Sequence, residues 1–261
     1  MKSLYILFLL SLCNISVVDG QGLAFKWKEA IGDWHIGVNL STTRYCGDLS
    51  ERYGFNHLQL GWAAEGHLRY RVSERFCVRT DIGFYSLRGD QQYTKNRTNY
   101  LRFTTTNPSV IAGLQWNVRS IEYNQHNIPH FWVGAGATYL NPRADYNGTT
   151  YSLPALQTEK VAYNRIAGQF VLGGGMPFTL NKKSQLRLEA RYTYILSDYV
   201  DDVSGTYADK SGSPALDQVL ADRRREYGLT PNAVGGQRGN PLRNDGYFAL
   251  TLQYAVKRST P

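Results

Sequence analysis

The chain has little that would support metal or redox chemistry, and no later stretch of it could form a membrane helix. Of 261 residues only 3 are cysteine, 2 methionine and 5 histidine. The cysteines have no Cys-x-x-Cys partner and no cluster of histidines beside them, so the common zinc ligand sets are excluded. No Gly-x-Ser-x-Gly nucleophile turn occurs. Gly173-Gly174-Gly175 lies in a strand-like stretch with no helix or phosphate-binding lysine after it, which argues against a nucleotide cradle. Beyond the N-terminus no run approaches the roughly eighteen apolar residues of a transmembrane helix. Mean hydropathy is −0.40, a value that fits a soluble protein or a barrel whose strands give half their residues to a polar lumen.

What is present in quantity is aromatic side chains, 19 Tyr, 10 Phe and 5 Trp, and positive charge, +8 net. Tyr and Trp have an apolar body and a polar tip, which suits membrane–water boundaries. The basic residues are scattered rather than gathered in one stripe, so no nucleic-acid partner is expected. An acidic lipopolysaccharide surface fits the charge better.

The N-terminus reads as an export signal. Lys2 is followed by an apolar run from Leu4 to Leu12 and then by Val18-Asp19-Gly20, with small residues suited to cleavage. Residues 1–20 are expected to be removed, leaving Gln21 first and residues 21–34 as a periplasmic segment. Cys13 would allow a lipoprotein, but Leu12 stands where a small residue is required. Cys46 and Cys77 fall at opposite ends of their strands and are expected to remain thiols.

Period-two alternation dominates the rest. From Gln185 to Ser197, Leu186, Leu188, Ala190, Tyr192, Tyr194 and Leu196 take one face, and Arg187, Glu189 and Arg191 take the other. That stretch is twice the usual length of a soluble strand and, tilted, long enough to cross a bilayer. Eight such segments are predicted: 35–45, 58–72, 76–87, 100–118 with an interruption at Asn107-Pro108, 130–142, 164–180, 185–197 and 246–257. The connections after the second, fourth and sixth run to about 3, 11 and 4 residues, against about 12, 12, 21 and 45 for the others. Short and long connections alternating around an even number of strands imply an all-β, eight-stranded antiparallel up-and-down transmembrane barrel over 35–257 with a tail at 258–261. Termini and short turns would face the periplasm, and the loop at about 200–244 would lie outside.

With apolar faces outward, Glu65, His67, Arg69, Arg79, Asp81, Arg187, Glu189 and Arg191 converge inside, with Arg71 beside them. Both signs are present, as burial requires. Eight strands leave room for little beyond side chains, so the expectation is a plugged lumen of salt bridges rather than a small pore. Catalysis would need a histidine with a nucleophile at the outer rim. His35, His126 and His130 fall at the other end, His67 is mid-strand, and His57 has no such companion. No enzyme activity, cofactor or metal is expected. In the last long loop, Ser213-Pro214-Ala215 predicts a helix of about fourteen residues with Ser213 as N-cap, a basic end at Arg223–Arg225 and a stop at Gly228.

Three stretches carry a family resemblance. They contain Tyr45-Cys46-Gly47-Asp48-Leu49, Asp201-Asp202-Val203-Ser204-Gly205-Thr206-Tyr207 and Arg238-Gly239-Asn240-Pro241. In this order the chain resembles the PorG-like outer-membrane barrels associated with the type IX secretion system. The resemblance implies an accessory, non-enzymatic barrel that ties periplasmic ring proteins of the PorK and PorN type to the outer membrane. Departures are Cys46 and Gly246, where bulkier residues are expected, and the basic tail after Val256 in place of a final aromatic. Read physically, Gly47, Gly205 and Gly239 would serve tight turns, and Asp48, Asp201 and Asp202 would cap or pair with arginines such as Arg238. The 119–129 connection, with Tyr123 and Ile128, is the short-side element long enough to grip a periplasmic protein. The alternative role is an adhesin-like or OmpX-like barrel that stabilises the membrane or binds at the surface.

Overall fold

The computed structural model describes residues 29–50, 58–94, 96–120 and 127–258. The expected signal at 1–20, His57, Tyr123, His126 and the last three residues lie outside these. Ten strands occur among the described residues. β1 is Trp34–Cys46, β2 Leu60–Arg71, β3 Phe76–Asp90, β4 Arg102–Asn117 and β5 His130–Tyr139. Two short strands follow, β6 Arg143–Tyr146 and β7 Thr149–Ser152, then β8 Ile166–Thr179, β9 Ser184–Ile195 and β10 Gly246–Arg258.

The order is β3-β2-β1-β10-β9-β8-β5-β4, every pair antiparallel, and β3 pairs again with β4. This closes a ring of eight long strands, none of which is left as an unpaired edge. The β6–β7 hairpin was not anticipated. It stands on the rim of β4 through the pair Thr104↔Arg143 and turns at Asn147-Gly148, both at positive φ (49° and 78°). That is the backbone a two-residue type I′ hairpin demands.

The start of β1 and the end of β10 meet at one end of the ring, the chain-end side, where Trp34 opposes Arg258. The tight turns are there too. Asn181 closes the β8–β9 turn by accepting from the Lys183 and Ser184 backbone N–H groups at 2.9 and 3.0 Å. The long connections occupy the other end. Pro108 does not interrupt β4: it pairs with Phe84 and projects from the outer face, while Asn107 points inward.

The alternation sorts the side chains radially. Val38, Leu40, Ile82, Val133, Leu172 and Leu250 are exposed on the outer wall. Aromatics edge this belt at both ends. Phe76, Trp116 and Phe131 form one cross-strand row near the chain ends, with Trp34 against Tyr70 at 4.5 Å. Phe170–Tyr194 and Tyr192–Phe248 pair at the loop end. From Phe76 to Phe84 along β3 is about 27 Å at ~3.4 Å per residue. At a tilt near 40° this gives roughly 20 Å of height, close to the apolar band of a membrane barrel.

The helical segment is shorter than predicted. α1 spans Ala215–Ala221, Pro214 occupies the N-cap position, and the Ser213 side chain makes no cap bond. Asp222 breaks it with extended backbone (φ −139°, ψ 98°) and then caps a 3-10 turn, Arg223–Tyr227, by accepting from the Arg224 N–H at 3.2 Å. Gly228 ends that turn in the left-handed conformation, as expected. α1 lies on the hairpin: Leu220 joins Ala144 and Leu153, and an Arg223 guanidinium N–H donates to the Asp145 carbonyl at 2.9 Å.

Candidate functional site

Inside the half of the ring nearest the chain ends, side chains make one ionic network. Arg79 donates from Nη1 to both Glu189 oxygens at 2.8 Å and from Nη2 to Asp81 at 2.9 Å. His67 Nδ1 lies 2.8 Å from Asp81, and His130 Nε2 lies 3.2 Å from Glu189. Arg191 donates to Glu65 at 2.6 Å and to Asp81 at 3.4 Å. Arg187 has amide partners instead, Gln253 at 2.9 Å and Gln115 at 3.0 Å. The Arg79 guanidinium also lies 4.1 Å from the centre of the Trp132 ring. Gly173 makes room for this group, because a Cβ there would stand 2.6 Å from Trp132 Nε1.

Glu29 closes the mouth at the chain ends. Its carboxylate accepts from Arg69 at 3.2 Å and from Arg71, and it faces His35 at 3.2 Å. Burial pulls the Glu29 carboxyl upward, but Arg69, with His35 and Arg71, holds it well below the usual carboxylate range. The structure thus brings together all eight charged lumen residues singled out in the sequence, and adds Glu29 and His130 to them. Cys77 is buried on the inward face of β3, while the Cys46 thiol donates to the Arg44 carbonyl at 3.7 Å. The two do not form a disulfide.

Toward the loops the inward face changes character. Tyr85 stacks on Tyr247 at 4.7 Å, Tyr45 meets Phe103 edge-on at 4.9 Å, and Leu87, Leu140, Ile195, Val200 and Val203 pack among them. The expectation of an ionic lumen therefore holds for one half only. At the loop end the inward set is apolar as well, because the loops fold in over the opening and supply a core to pack against.

The three resemblance motifs meet in this cap. The Tyr45 hydroxyl lies 2.6 Å from Asp201 Oδ2 and 2.6 Å from Asp245 Oδ1. A phenol carries one hydrogen, so the second short contact needs a proton on one of the two carboxyls. Burial, and then the neighbouring Asp245, push the Asp201 carboxyl well above its usual range. Burial does the same to Asp245, with Asp198 and Asp48 adding to it. Asp201 also accepts from the Leu49 and Val203 N–H groups, at 3.3 and 2.9 Å.

A second knot joins Arg238 to Glu159 at 2.9 Å and to the Asp202 carboxylate at 3.9 Å. Glu159 accepts from the Ser204 and Gly205 N–H groups, both at 3.0 Å. Asp202 sits at positive φ (65°) and accepts from Tyr163 at 2.8 Å. Burial raises its carboxyl to about 6 despite the pull of Arg238. Asp48 accepts from the Asn240 N–H at 2.5 Å, and the Tyr207 N–H donates to the Gly236 carbonyl at 2.9 Å.

Gly47, Gly205 and Gly239 do not take the left-handed backbone that tight turns would require. Gly47 and Gly239 instead permit close approach. A Cβ on Gly47 would overlap Tyr45 Oη and Asp245 Oδ1, and one on Gly239 would press on Asp48 and the Ser204 carbonyl. Pro241 stands exposed at the edge of the cap. Glu159 and Tyr163 were not singled out because they lie in a loop with no recognisable motif. Asp245 lies just before the last strand and shows no signal of its own in the sequence. Ile128 is half-buried in the β4–β5 connection, away from the cap.

No family model matches the chain, and no curated protein matches it by sequence. Solved structures do. The outer membrane protein OprG from Pseudomonas aeruginosa matches at 12% identity and TM-score 0.49, over 90% of this chain and 100% of that one. Neisserial surface protein A matches at 10% identity and TM-score 0.45, over 86% and 98%. Ail, the attachment invasion locus protein of Yersinia pestis, was solved with the heparin analogue sucrose octasulfate. It matches at 11% identity and TM-score 0.42, over 88% and 100%. The likeness is one of fold.

Proposed function

We propose that the protein is an outer-membrane barrel without a conducting pore, serving as a non-enzymatic anchor for a protein-secretion assembly. The observation that carries the membrane placement is the continuous apolar wall between two aromatic rows around a charged interior. In water, exposed apolar surface on this scale would drive aggregation. In a bilayer it is the expected surface. The ionic plug and the loop cap block the axis at both ends, which supports a structural role over transport. Long loops folded into a rigid lid support a docking role.

The finer reading, a type IX secretion component holding PorK- and PorN-type ring proteins, rests on the three motifs, which converge in one packed unit. The chain ends and the Ile128 connection would then lie on the periplasmic side, where such a ring sits. Tagged barrel extracted in mild detergent from its native cells is expected to bring ring lipoproteins with it. Their consistent absence removes the anchor reading and leaves surface binding by the cap as the role to pursue. Steady conductance steps in a planar bilayer would contradict the plugged interior.

A further inference from the structure

On the outer wall of β3 the apolar belt stops at Phe84, and the next outward residues are Ser86 and Arg88. Register places Arg88 opposite Thr104 of β4, and Thr104 opposite Arg143 of β6. All three are exposed, so two arginines flank a threonine in a single cross-strand row on one face. With strands ~4.8 Å apart, the two arginine Cα atoms lie about 10 Å apart, and both side chains can converge over the Thr104 hydroxyl. A cleft of about 540 Å³ opens at this row, with Leu60 of β2 level with Arg88 by register and with Trp62 and Phe84 next below them on the outer wall.

Other charged groups also line the cleft. Arg102 pairs with Glu226 at 3.1 Å, Asp90 accepts from the Gln92 N–H at 2.8 Å, and Asp145 accepts from the Thr150 hydroxyl. Neither Arg88 nor Arg143 makes an ion pair among the described residues. Arg88 is four residues past Phe84, roughly 13 Å further along the strand and ~10 Å higher at barrel tilt. That is the depth of lipid headgroups. Guanidinium forks match phosphate oxygens.

We infer that Arg88, Thr104 and Arg143 form a clamp for the phosphate of an outer-leaflet glycolipid, whose chains would descend past Trp62 and Phe84. This rests on the outer-membrane reading, with the loops outside. The test uses the full chain folded into phosphatidylcholine vesicles with and without bisphosphorylated lipid A, followed by native mass spectrometry of the detergent-extracted barrel. Retained lipid A is expected on the unaltered protein, with at least a tenfold loss in the R88Q/R143Q variant. K182Q/K183Q, at the opposite end, should retain it fully. Millimolar inorganic phosphate should not displace the lipid, which separates a headgroup site from a site for free phosphate. Equal retention by R88Q/R143Q and the unaltered protein, or an equal loss in K182Q/K183Q, overturns the clamp. Insertion into vesicles without lipid A is scored separately by protection from protease. Insertion without lipid A retention sinks the clamp alone, whereas failure to insert sinks the membrane reading and the clamp together.

Discussion

The two halves of the interior are filled by opposite means. Near the chain ends the space is taken by Arg79, Arg187 and Arg191 with Glu65, Asp81 and Glu189, and the strands alone position them. Near the loops it is taken by Tyr45, Tyr85, Leu87, Phe103 and Tyr247, and these pack only because loops come from across the ring to cover them. The first half is a property of the strands. The second belongs to segments distant in the chain, joined through Tyr45, Asp201, Asp245, Glu159 and Arg238.

The sharpest way to break this contrast is to remove one ion from the first half. Glu189→Ala leaves His130 buried without its carboxylate and Arg79 with Asp81 alone, and should cost about 3–5 kcal/mol. Urea unfolding in micelles reads this, and the double replacement of Arg79 and Glu189 by leucine should recover only part of it, because Asp81 then keeps just His67 and Arg191. A smaller effect is expected in the second half. Tyr45→Phe takes away the hydroxyl shared by Asp201 and Asp245 and should cost about 1–3 kcal/mol, localised to the cap. Hydrogen exchange should show faster opening at Val200–Gly205 with the β9 and β10 amides unchanged. Gly47→Ala should act in the same place, about 1–3 kcal/mol through overpacking.

The smallest expected effect is one of pH. The folded-state carboxyl of Asp202 is raised to about 6, so it holds its proton more tightly in the folded state than in the unfolded one. Its contribution is complete below the ordinary aspartate value near 4 and is lost as pH climbs through 6. Asp201 and Asp245 shift in the same direction. Exchange protection of the cap should therefore fall between pH 4 and 7, after correction for intrinsic rates. A profile that rises with pH would contradict the acid-pair geometry, and Asp202→Asn should flatten the slope.

The strands were legible because period two over a dozen residues, with charge on one face and aromatic groups on the other, has few other solutions. The inward placement of Glu189 or Arg79 follows from that period alone. Pro108 was read as a break because its missing N–H is a local fact, whereas its tolerance depends on projecting outward. The β6–β7 hairpin does carry a local sign, Asn147-Gly148, inside the connection that follows the fifth predicted strand. Arg223–Arg225 and Gly228 read as the basic end and stop of one helix, but Asp222 leaves helical backbone and caps a separate 3-10 turn instead. Glu159 was beyond reach: its role exists only where Arg238, 79 positions further on, arrives to meet it.

Tyr45 sits at the end of the first strand, and Asp245 immediately precedes the last. Their contact spans the seam where the cylinder joins its own beginning, and Asp201 is drawn to the same point. A chain in which that seam has not yet zipped has no way to assemble the lid. The surface of the lid is thus formed only once the ring is closed, and is absent from a half-wound precursor.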